Sequence, residues 1–193
     1  MATEKKTKIT ITGEEYSDIV AEIIHDYYNR IISDDNIFLA LKLSGSKINE
    51  FSVDLSIMLT IIAMRLFSVR HHNQALQGRT VFRILEKNEQ DIFKLNEKEK
   101  EKYGEVYNEK YNMFSELIPS QKSSYSIRSQ WLGFSRYLIS QYSDKTEDEN
   151  KKIITKISEY IVEFGDIVSR LFANSRLKVS SAWTGKYAFV VTK

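Results

Sequence analysis

Residues 53–69 read VDLSIMLTIIAMRLFSV, and how this stretch is read decides the fold. Apolar side chains fall on almost every side of a 3.6-residue helix, so no face is left for water. A helix of that kind must be wrapped by other elements. A membrane span would need about 20 apolar residues. This stretch is shorter and carries Asp54 and Arg65. It is read as a buried central helix over about residues 48–72, with no membrane partner.

Both flanks supply wrapping. Tyr16, Ile19, Val20, Ile23, Ile24, Tyr27 and Ile31 repeat at helical spacing. Thr12 and Glu15 form a capping-box pattern before them, and Asp34 or Asp35 can cap a short helix that Gly45 ends. Beyond the central run, Gly78 marks a helix end or kink, and a weaker helical pattern covers residues 80–95. Residues 96–102 (NEKEKEK) have no apolar side chain and fit either a solvated helical turn or a loop. Helical spacing resumes at Tyr103 and stops before Pro119. Residues 120–126 (SQKSSYS) read as a mobile link, and Trp131, Phe134 and Leu138 share one face of the next helix.

Thr146 and Glu149 then form a capping box. Ile153, Ile157, Tyr160, Phe164, Ile167 and Leu171 follow in alternating steps of four and three, widened by Ile154, Ile161 and Val168. That heptad helix (150–172) reads as a bundle member, or as the seam of a homo-oligomer or protein partner. At both ends the period changes to two. Residues 7–11 read as an edge strand and 176–192 as a β-hairpin turning at Thr184-Gly185. The expectation is mainly α: one domain over 1–193, a bundle of five to six helices around the central helix, with a small β element from the chain ends.

Composition narrows the chemistry. The chain has 193 residues, one proline, seven glycines and no cysteine. Thiolate metal sites, disulfides and cysteine nucleophiles are thereby excluded, in keeping with a cytoplasmic setting. Residues 1–8 (MATEKKTK) have no apolar core of a signal peptide. No Gly-rich phosphate loop or nucleophile elbow is present, and no cofactor is expected. Glu22 and His25 form one Glu-x-x-His, but a second is missing, so no metal is expected either.

Charge is segregated although the formal net charge is only +2. Positions 55–85, 117–143 and 167–193 contain no acid. They hold Arg65, Arg70, Arg79, Arg83, Lys122, Arg128, Arg136, Arg176 and Lys178. If these share a face, that face suits a phosphate backbone, with aromatics free to stack bases. The competing reading pairs them with acids inside the bundle.

Arg65 with His71 or His72 resembles the R-x(4–6)-H spacing of HEPN ribonucleases. In those compact helical domains, Arg and His from two subunits form a composite site that cuts RNA without metal. The resemblance rests on these residues alone. It implies Arg65, His71 and His72 as candidate catalytic groups. The family's motif usually has a polar residue after the arginine, where this chain has Leu66. Arg70-His71 has the polar follower but no histidine at positions 75–77. The structural alternative pairs Arg65 with a buried carboxylate such as Asp54 or has it snorkel outward, and leaves the histidines at a helix C-terminus, where the dipole favours their protonated form.

The functional expectation is a non-enzymatic helical binding subunit that contacts RNA or DNA through a basic face within a larger assembly. It is similar in size and class to the small helical subunits of CRISPR effector complexes. The alternatives are a protein–protein adaptor or homo-oligomer, and a HEPN-like ribonuclease.

Overall fold

The computed structural model describes residues 8–70, 72, 74–116, 127–173, 175–179 and 187–192. Among them the chain is mainly helical. Seven α-helices run in order: α1 (Gly13–Ile32), α2 (Asp35–Leu41), α3 (Ser46–Arg70), α4 (Gln74–Lys87), α5 (Glu97–Glu116), α6 (Ile127–Tyr142) and α7 (Glu147–Ala173). These are seven where five or six were expected. Strands β1 (Lys8–Thr12), β2 (Ser175–Val179) and β3 (Tyr187–Thr192) pair antiparallel in the order β1-β3-β2. Residues 180–186, with Thr184-Gly185, lie outside the described residues, as does the link at 120–126.

α3 is the axis of the bundle. It touches α1, α4, α5, α6 and α7. Ile57, Met58, Leu59 and Ile62 are completely buried and Ile61 is 1% exposed, while Leu66 is half-buried. Ser46–Val69 is long and apolar enough to cross a membrane, but 72% of that apolar window is buried inside the protein. The polar residues of α3 are satisfied locally. Ser56 Oγ lies 2.9 Å from the Tyr103 hydroxyl, and Thr60 Oγ1 donates to the Ser56 carbonyl at 2.9 Å. The buried Asn88 donates to Thr60 Oγ1 at 3.1 Å. Asn88 opens a π-helical turn, Asn88–Phe93, that continues α4.

Caps set the helix ends. Asp34 accepts from the Asn36 amide and starts α2. Glu149 and Thr146 exchange bonds at the start of α7, and those from Thr146 hold the Glu149 carboxyl below its usual pKa. A capping box that the sequence reading passed over starts α5: Asn96 N–H donates to Glu99, and Glu99 N–H donates to Asn96. The NEKEKEK run is therefore the first turn of a helix.

Two glycines are placed differently from expectation. α2 ends at Leu41, and Lys42, not Gly45, takes the left-handed conformation beside it (φ 51°). Gly78 neither ends nor kinks a helix; it lies within α4.

The stripe on α7 also shifts. Ile153, Ile154, Ile157, Ile161, Phe164 and Val168 are buried. Tyr160 and Leu171 are half-buried and Ile167 is 36% exposed. The core line therefore runs through Ile154, Ile157, Ile161, Phe164 and Val168, so the residues read in sequence as widening share the core with half of the expected stripe. A helix packed on α1, α3 and α6 needs a broader face than an a/d seam provides.

Candidate nucleic-acid interface

Two of the basic residues singled out by sequence, Arg83 and Arg136, are paired with acids of the chain. Arg83, on α4, reaches α1: its Nε donates to Asp18 Oδ1 at 2.9 Å and its Nη1 to Glu86 Oε2 at 3.1 Å. The bond to Asp18 is the main reason its pKa is raised. Arg136 lies 2.8 Å from Glu147 across the α6–α7 corner. Both are neutralised within the chain. Arg79 is exposed on α4. Arg70 ends α3, Arg128 lies in α6, and Arg176 and Lys178 lie in β2, all with side chains outside the described set. Lys122 and His71 fall outside it altogether, and His72 is exposed just beyond α3.

Arg65 is placed differently. The structural alternative paired it with Asp54, and the structure overturns that pairing. The two residues share one helix and stand about 16 Å apart along its axis, beyond the reach of both side chains. Asp54 is instead held by Lys110 Nζ at 3.0 Å and by the Tyr142 hydroxyl at 2.8 Å. Its carboxylate keeps the Tyr142 phenol protonated, adding to burial, which is the larger cause of that raised pKa.

Arg65 is half-buried and lines a cleft of about 320 Å3 between α3, α4 and α5. Its neighbours there include Gln74 and Gly78 from α4, and Tyr107, Asn108 and Tyr111 from α5. Among the described residues, no acid lines this cleft and Arg65 is its single charged lining residue. Among the described residues, Arg65 forms no salt bridge.

Local structure builds the rest of the cleft. Tyr103, Tyr107 and Tyr111 recur every four residues on α5, so they rise along one face. Tyr103 is sealed in the core, Tyr107 is buried at the cleft wall, and Tyr111 is 42% exposed. The rings of Tyr107 and Tyr111 lie 5.8 Å apart at 34°. Burial pushes the Tyr107 phenol well above its usual pKa, so at neutral pH it is a neutral hydroxyl donor. Gly78 leaves the α4 wall without a side chain, and a Cβ there would meet nothing within 4 Å. The sequence reading missed this wall; the spacing of the three tyrosines was the available signal.

Glu22 and His25 border a smaller hollow of about 50 Å3 with Asp18 and Asp91. Among the described residues, no three acid, histidine or cysteine side chains are grouped to hold a metal.

Compared with family models, curated proteins and solved structures, the chain matches none.

Proposed function

We propose that this protein is a non-enzymatic helical binding subunit that contacts RNA or DNA in a larger cytoplasmic assembly. The observation that carries the reading is the half-buried Arg65 at a cleft with no acid among its described lining residues. A cation partly removed from water is costly until an anion meets it. Phosphate answers the planar guanidinium with bidentate hydrogen bonds. The acid-free segment 55–85, which supplies the α3 and α4 walls of the cleft, would draw a polyanion rather than a cation. Arg70, Arg79 and the appended terminal β element, with Arg176 and Lys178, would add sequence-independent attraction. Arg83 and Arg136 contribute little, since each already has a carboxylate.

Binding of a fluorescent mixed-sequence 12-mer, followed by anisotropy, tests the reading. Affinity should fall steeply between 50 and 200 mM salt, as counterion release requires. No binding at about 50 mM salt to either the RNA or the DNA strand removes the reading. Cleavage of the RNA strand that is lost in Arg65→Ala and His72→Ala variants would replace it with the HEPN-like ribonuclease.

Exposed Phe82 and Leu39, at 70% and 76%, favour a second reading, an adaptor or homo-oligomer. Sedimentation as a single-chain species at high concentration would remove the homo-oligomer.

A further inference from the structure

We infer that the α3–α4–α5 cleft is a receptor for one unpaired nucleotide, its phosphate on Arg65 and its base against the Tyr107–Tyr111 pair. This rests on the nucleic-acid reading and narrows it to single strands.

Size is the first argument. About 320 Å3 is at the lower end of ligand clefts, room for one base and its sugar phosphate. A duplex presents its bases already stacked and paired, and it is too wide to enter a slot between adjacent helices. The strand must therefore offer a base that is free to turn inward.

The chemistry of the walls is the second. Single-strand sites combine a cation for the backbone with aromatic faces for the bases. Here Arg65 supplies the charge, and Tyr111, the exposed member of the ring pair, supplies the face. The Gln74 and Asn108 amides also line the cleft, and each carries both donor and acceptor atoms. Such groups match the mixed edge of a base better than a bare phosphate or a carboxylate ligand, which would need only donors.

The third argument is Gly78. Glycine inside a helix is unfavourable, yet this one sits where a side chain would project into the cleft. Its Cβ position is empty of neighbours, so packing does not require glycine there. The vacancy belongs to the ligand space.

The experiment titrates the full chain with a mixed-sequence 12-mer as single-stranded RNA, as single-stranded DNA and as a duplex. Variants are Arg65→Gln, Tyr111→Ala and Gly78→Leu, each checked for folding by circular dichroism. Wild type should bind the single strands at least tenfold more tightly than the duplex. Arg65→Gln and Tyr111→Ala should each weaken single-strand binding roughly tenfold, the usual cost of one lost stack or charged contact. Gly78→Leu fills the cleft without touching Arg65, and should weaken binding as much. It decides the matter if Arg65→Gln does not fold. Equal affinity for single strand and duplex, or full affinity in Gly78→Leu, overturns the single-nucleotide receptor and leaves general nucleic-acid binding standing. Absence of binding to any of the three probes overturns both. Preference for the RNA or the DNA strand identifies the sugar.

Discussion

Two of the charges on α3, Asp54 and Arg65, are treated in opposite ways by the bundle. At Asp54 the helix is sealed: the side chain is 4% exposed, and Lys110 and Tyr142 close over it from α5 and α6. About three turns further on, Arg65 lines a cleft between α3, α4 and α5 with no carboxylate among its described lining residues. The same neighbour, α5, serves both places. It brings a lysine to the acid and tyrosines to the arginine. A charge answered from within the chain belongs to folding; one left for an outside anion is a candidate for binding.

The sharpest way to break this contrast is to remove the inner partner. Lys110→Met strands a buried carboxylate and should cost about 3 kcal/mol in urea unfolding. A loss below about 0.5 kcal/mol, the range of an exposed pair, would mean that the Asp54 region is not sealed.

Alkaline titration probes the sealed side through Tyr103. Burial pushes Tyr103 up to about 12, partly offset by hydrogen bonds with Ser56 and Asn88. The unfolded chain loses this proton near 10. Above that pH the unfolded state binds fewer protons, so stability present below pH 10 is lost as pH rises toward 12. The loss should be on the order of 2 kcal/mol. Absorbance at alkaline pH should show Tyr103 ionising only with unfolding. Early ionisation of Tyr103 would show water already reaching the sealed side.

Glycine substitutions compare open with filled space. Gly78→Ala should raise stability by about 1 kcal/mol, the helix-propensity gain, because nothing stands near the new Cβ. Gly165→Ala should gain nothing, because its Cβ would come within 3.2 Å of the Trp131 indole nitrogen. Trp131 is buried and stacked on Phe134, so it has little room to yield. Equal thermal shifts would mean that the Trp131 contact is loose.

The smallest effects belong to the outer charges. Arg136→Met breaks a pair whose side chains are 51% and 61% exposed, and should change stability by less than about 0.5 kcal/mol. Arg65→Met should fall within about the same range or be slightly stabilising, since no carboxylate is left behind. A cost of several kcal/mol for Arg65→Met would show that this arginine is structural.

Much of the helical architecture was legible because its signals are local. The all-round apolar run of α3 required wrapping, and the Thr146/Glu149 and Asp34 caps need only their own neighbours. The misread points were also local in form, but their meaning was not. Gly78 looks like a breaker unless it is known that α4 faces open space there. The NEKEKEK run fits a loop as well as a solvated helical turn until Asn96 is seen capping it. The α7 stripe fits a narrow seam until three helices are found against it.

The sequence by itself determined that this chain is a mainly helical bundle around one buried rod, without thiol chemistry and with three long segments free of acids. Those are consequences of periodicity and composition, which act within a few turns of chain. Only the tertiary structure decided which charges cancel. Arg83 meets Asp18, Arg136 meets Glu147 and Asp54 meets Lys110, whereas Arg65 is left at an open cleft. Ion pairing depends on a few ångströms between side chains distant in sequence, and that separation is set by how the helices cross rather than by how they are spelled.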